Sequence, residues 1–149
     1  MEATTLRRAA QAIAWARVGL GGVALVVPPV VTRPWVGSSA DTPSARLLAR
    51  TLGGRDLALG VGTLRALSRS DEEARPWVAL AGVSDAVDAL ATVAAFASLP
   101  RRTRWVILGA SVGAALVSIR AATELDTGPT VGPHTVGDAG DHTVVARDD

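Results

Sequence analysis

Asp85 and Asp88 stand three residues apart in a stretch, PWVALAGVSDAVDALATVAAFASL, that is otherwise apolar. On a helix this spacing puts both carboxylates on one face. A second stretch carries Arg50, Arg55 and Asp56. Arg17 is the one charge within a third, from about Ala9 to Val31. Carboxyls that share a face favour a state with one ionised and one protonated, an acid and a base together. A guanidinium beside them bridges and orients. The chemistry within reach is acid–base work: activating water, protonating a leaving oxygen, or moving a proton along a polyene. Asp85 or Asp88 is the candidate base, the other carboxylate or Asp56 the acid, and Arg55 the orienting cation. Arg50 is a further candidate, and Arg17 reaches the same depth from its own segment.

Four apolar segments hold these residues, at about 9–31, 47–67, 76–99 and 105–122. A bilayer-spanning helix needs about 20 mostly apolar residues. The first, third and fourth have that character. The second passes only if Arg50, Arg55, Asp56 and Arg65 face protein. An ionisable group at mid-bilayer costs roughly 2.5–3.5 kcal/mol on insertion scales. Segments two and three are therefore expected to face each other and pair their charges in the interior. The predicted fold class is all-α: a four-helix transmembrane bundle over residues 1–125, with a disordered polar tail over 126–149.

The breaks support this division. Residues 32–46 hold turn formers and two prolines, 68–76 (SRSDEEARP) read as a charged aqueous turn, and 100–104 (PRRTR) as a basic turn. Trp35, Trp77 and Trp105 lie at segment ends, as in an interfacial belt, while Trp15 lies deeper. Gly109 and Gly113 have the GxxxG spacing that allows close helix approach, and the other glycines, such as Gly19, Gly21 and Gly22 of segment one and Gly53, Gly54, Gly60 and Gly62 of segment two, together indicate closely packed helices. With the N-terminus inside, Arg7, Arg8, Arg65, Arg69, Arg75 and Arg120 fall inside. Arg33, Arg46, Arg101, Arg102 and Arg104 fall outside, too even a division to fix the orientation. Arg17 also breaks the apolar run that a signal peptide would need.

Composition excludes several classes. The 149 residues contain 48% hydrophobic residues and no cysteine, which excludes end-to-end disorder, disulfides and thiolate metal sites. All 15 basic residues are arginine, and no basic face with interleaved aromatics points to nucleic acid. No cofactor or metal is expected, because the arginines compete with any Mg²⁺ or Ca²⁺ for the three aspartates. His134 and His142 read as solvated tail residues. Ser84 reads as bonded to its own helix rather than as a nucleophile. Gly60-Val61-Gly62 lacks the strand and the Lys-Ser/Thr of a phosphate loop.

The stretch RLLARTLGGRDLALGVGTLRAL, followed by WVALAGVSDAVDAL, resembles a family of small four-helix integral membrane proteins found in actinobacteria and fungi, of unknown function. The resemblance rests on Gly53, Arg55 and Asp56 of the second segment and on Asp85 and Asp88 of the third, and covers about residues 9–122. It implies a four-span bundle. Some fungal members look like small membrane hydrolases that open epoxides, which the acid–base constellation would suit.

The expected setting is the cell membrane, multi-pass, with a lipophilic small molecule reaching the Arg/Asp site from the bilayer. The expected partners are lipid and that molecule, with a homo-oligomer or a membrane partner protein as further options. Against an enzyme stands a non-catalytic accessory or small transport subunit whose ion pairs only fix helix packing. Three aspartates and two arginines exceed what fixing register requires, which favours a functional site.

Overall fold

A computed structural model describes residues 3–99, 101 and 103–125; the tail over 126–149, with both histidines, lies outside the described residues. The elements are α1 (Ala3–Val26), α2 (Pro28–Val36), a 3-10 turn (Gly37–Asp41), α3 (Pro43–Leu67), α4 (Asp71–Ala94) and α5 (Thr103–Glu124). All are helical. The four expected helices become five because the first segment is divided. Helix α1 ends at Val26, and Pro28-Pro29 open a new helix instead of closing the old one. Proline suits that place, since the first turn of a helix has amides without intrahelical partners. Residues 32–46 are accordingly mostly helix, turning at Gly37 with φ +63°, a left-handed value suited to glycine.

Two further boundaries differ from expectation. The charged run 68–76 is a turn only through Ser70. The Ser70 hydroxyl accepts from the Glu73 amide at 3.1 Å, and Asp71, Glu72 and Glu73 form the first turn of α4. Carboxylates there complement the positive end of the helix dipole. Pro76 lies inside the helix, and α4 ends at Ala94 rather than Leu99.

The four long helices form a ring in which α1 contacts α3 and α5, and α4 contacts α3 and α5. Successive long helices run in opposite directions. The C-terminal half of α1 (Gly21) meets the N-terminal half of α3 (Gly53), and Arg7 near the start of α1 reaches Leu67 at the end of α3. The interior positions of α1 are Leu6, Ala10, Ala14, Arg17, Gly21 and Ala24, a repeat of three and four residues that forms one stripe. The residues are small, so the backbones come close. A Cβ on Gly60 would lie 2.7 Å from the Ala14 carbonyl oxygen, and one on Gly21 2.6 Å from that of Gly53. This is the packing mode of helices in lipid. Gly109 and Gly113 behave otherwise. Both are exposed with no neighbour near the missing side chain, so their GxxxG spacing makes no contact among the described residues.

Size and burial are inverted relative to a water-soluble bundle. The buried set is dominated by alanine, while Trp15, Leu20, Leu90, Trp105 and Val106 are each more than half exposed. A water-soluble fold buries its large apolar side chains first. Three helices, Thr4–Val26, Asp71–Ala94 and Thr103–Glu124, are long and apolar enough to cross a membrane. Helix α3, with its charges, is not among them. It is as long as the others at 25 residues.

Candidate functional site

Arg17, Asp56, Arg55, Asp85 and Asp88 form one continuous network near the middles of α1, α3 and α4. Arg17 is its hub, only 7% exposed. Its Nη1 donates to Asp56 Oδ1 at 2.7 Å, and its Nη2 donates to Asp85 Oδ1 and to the Ala81 carbonyl at 3.2 Å. Arg55 grips Asp88 in bidentate fashion, Nη1 to Oδ1 at 3.0 Å and Nη2 to Oδ2 at 2.7 Å. The same Nη2 donates to Asp56 Oδ1 at 3.1 Å. The order is Asp85–Arg17–Asp56–Arg55–Asp88, alternating in sign. Paired, fork-shaped contacts of this kind are the strong class of charged hydrogen bond.

Asp85 and Asp88 do share a face, as their spacing requires, but they do not pair with each other. Arg17 of α1 takes Asp85, and Arg55 of α3 takes Asp88. The expected facing of segments two and three is present. Arg17 was the less obvious member, yet a lone arginine in an apolar segment signals a buried partner.

Arg50 is not part of the network. It is exposed, and its Nε donates to the Leu25 carbonyl at 3.2 Å. Leu25 lies in the last turn of α1, where carbonyls lack intrahelical amides, and α1 has no basic residue of its own there. Five residues along a helix turn the side chain by about 140°, so Arg50 and Arg55 cannot both face α4.

A cavity of about 340 Å³ adjoins the network. Arg55, Asp56 and Asp88 line it; Arg17 and Asp85 do not and stand behind. The other walls are chiefly apolar, including Leu20, Leu52 and Ile107 of the long helices and Val31, Trp35 and Val36 of α2. Trp35 is thus a wall of the cavity as well as a residue near a segment end. Thr92, whose hydroxyl donates to the Asp88 carbonyl at 2.7 Å, Thr32 and Ser111 add polarity.

The oxygens of the three aspartates differ in availability. Both Asp88 oxygens accept from Arg55. Asp85 Oδ2 is buried and has no hydrogen-bond partner among the described residues, as is Ser84 Oγ. Asp56 accepts twice through Oδ1, and no donor among the described residues reaches its Oδ2. Asp56 is therefore the carboxylate with both a place on the cavity wall and a free oxygen.

Trp77, Phe96 and Trp105 make packing contacts. Trp77 lies against Gly62, where an added Cβ would fall 2.2 Å from the ring. Trp105 meets Phe96 edge to face at 4.8 Å, and the Arg104 guanidinium stands 4.3 Å from the Phe96 ring centre. These contacts close the α4–α5 turn. Among the described residues no group of three or more acidic, histidine or cysteine side chains is arranged to hold a metal ion.

No family model matches the chain, and no curated protein or solved structure does either.

Proposed function

We propose that this chain is a small multi-pass protein of the cell membrane, a four-span bundle with an intramembrane Arg/Asp acid–base site acting on a lipophilic small molecule. The reaction class is epoxide opening, isomerisation or cyclisation. The resemblance to the small four-helix membrane family belongs to the same proposal. One observation carries the reading: an apolar cavity ends on Arg55, Asp56 and Asp88. A cluster that served packing alone would have no reason to border a chamber large enough for a ligand.

Asp56 Oδ2 is the base. Arg55 holds Asp56 and Asp88 in place, and the Arg17–Asp85 pair fixes Asp56 from behind. With three carboxylates and two guanidiniums, one proton held in the network supplies the acid. In epoxide opening, water gives a proton to Asp56 as its oxygen bonds to carbon. The breaking C–O bond leaves an alkoxide, which takes the network's proton. The proton on Asp56 then restores the starting state. In an isomerisation, Asp56 removes a proton from one carbon and the network returns one to another.

The test uses 1,2-epoxydodecane with the purified protein in detergent, and diol formation is followed. Asp56→Asn should lower turnover about 100-fold or more, in line with the loss of a general base. It should leave extraction and elution unchanged. An Asp56→Asn variant as active as the parent would remove the assignment.

One observation favours a second reading. Arg17 bonds groups on both α3 and α4 from α1, which would fix three helices in register without any reaction. In that case a neutral replacement lowers accumulation and melting temperature, and a matched double replacement restores both.

A further inference from the structure

The network contains three carboxylates, Asp56, Asp85 and Asp88, against two guanidiniums, Arg17 and Arg55. Its formal charge is −3 + 2 = −1. Among the described residues no other charged side chain lines the cavity. Helices α2 and α5 contribute to it only apolar groups, Thr32 and Ser111. Arg50 is held at the Leu25 carbonyl and does not balance the excess. An uncompensated charge beside a largely apolar chamber is costly even where Asp56 and Asp88 are 26% and 34% exposed, so a monovalent positive charge would complete the site.

Two carboxylate oxygens without partners fit this requirement, beside two buried guanidinium nitrogens, Arg17 Nε and Arg55 Nε, that also lack partners among the described residues. Asp85 is 8% exposed, and its Oδ2 is buried with no partner among the described residues. Asp56 Oδ2, on the cavity wall, is likewise without a donor. A small hydrated cation would exchange its water for one free carboxylate oxygen and apolar walls, which suits neither Na⁺ nor Mg²⁺. A proton fits. So does a weakly hydrated ammonium on an apolar body. The cavity's 340 Å³ lies within the range of small-molecule sites.

We infer that the cavity binds a lipophilic monocation, of the alkylammonium class, whose head pairs with Asp56 and which displaces the one proton that otherwise balances the network. The inference rests on reading the cavity as a ligand site and does not require catalysis.

The experiment is calorimetric titration of the purified protein, in a neutral maltoside detergent, with octyltrimethylammonium and with its uncharged carbon analogue 2,2-dimethyldecane. Two buffers of different ionisation enthalpy report the protons released. The cation should bind with release of about one proton, and its affinity should rise about tenfold per pH unit while the network holds its proton. The hydrocarbon should bind more weakly with no proton release. Asp56→Asn should remove the preference for the cation. Equal binding of both probes without proton release overturns the cation site while leaving the cavity as a neutral-lipid site. No binding of either probe overturns both.

Discussion

Arg17 is the residue on which the bundle's charge pattern hinges, and its replacement by methionine is the sharpest structural test. The side chain makes three hydrogen bonds, to Asp56, Asp85 and the Ala81 carbonyl. Arg17→Met keeps an unbranched apolar stem and removes the charge. The network then holds Arg55 against Asp56, Asp85 and Asp88, a formal charge of −2, with Asp85 left as a buried anion. Breaking a buried pair from one side costs about 3–5 kcal/mol, because the remaining charge stays desolvated. Asp85→Leu alone should cost less, about 1 kcal/mol, since Arg17 keeps Asp56 and the network becomes neutral. The double replacement returns the formal charge to −1, with Arg55 still gripping Asp88. It should be less destabilised than Arg17→Met by about 2 kcal/mol, which with the cost of Asp85→Leu makes a coupling of about 3 kcal/mol, the upper end of what is seen within one network. Unfolding in mixed dodecyl maltoside and dodecyl sulfate micelles, followed by far-ultraviolet circular dichroism, measures all four corners of the cycle. If Arg17→Met costs under about 1 kcal/mol, or if the two changes simply add, the network does not hold these helices together.

Three further outcomes follow from the same structure. Gly60→Ala would set a methyl group 2.7 Å from a backbone oxygen of α1 and should cost about 1–3 kcal/mol, whereas Gly109→Ala, with open space around it, should be neutral or gain up to about 1 kcal/mol; the same micelle titration compares them. Arg50→Ala leaves the Leu25 carbonyl without its donor and should cost about 1 kcal/mol in that titration while leaving the ammonium titration unchanged. The chain should stay with the membrane pellet after alkaline carbonate washing and enter solution only with detergent, because its large apolar residues point outward; recovery in the supernatant would contradict the bilayer setting.

The all-helical character was legible because four long stretches are apolar and the breaks between them are not. The partners of the charges were legible in part. Excess charge in apolar segments demanded pairing, and the pairing across α3 and α4 is there. Which guanidinium takes which carboxylate depends on rotation about helix axes, and spacing fixes that only within a helix. Hence Asp85 and Asp88 were correctly put on one face, while the turn of about 140° between Arg50 and Arg55 separates an end cap from a network member. The Pro28-Pro29 pair was visible as a break, but proline reads equally as the end of one helix or the first turn of the next. The glycines were legible in part: Gly21, Gly53 and Gly60 do lie at close helix approaches, whereas one pair does not. The GxxxG spacing at Gly109 and Gly113 states that a close approach is allowed, not that a neighbour exists.

That break after Val26 explains why the cavity lies where it does. The half of the bundle nearest the start of α1 is filled: Leu6, Ala10, Val78, Ala121 and Ala122 pack into one buried cluster, and Ala66, Leu67 and Ala74 into another. In the opposite half α1 stops, and the chain turns back through α2, laying Val31, Trp35 and Val36 along the space between the longer helices. Helix α2 is nine residues long and forms one wall of the chamber there. The Arg/Asp network stands at the boundary between the two halves. Arg17 and Asp85 face the packed side and are buried, while Asp56 and Asp88 face the chamber and are partly exposed. The asymmetry that gives Asp56 a free oxygen is thus that between the packed half of the bundle and the half bordered by α2. Restoring helix across the break, by replacing Pro28 and Pro29 with alanine, should draw α2 off the chamber and change ligand affinity before it changes the stability of the network below.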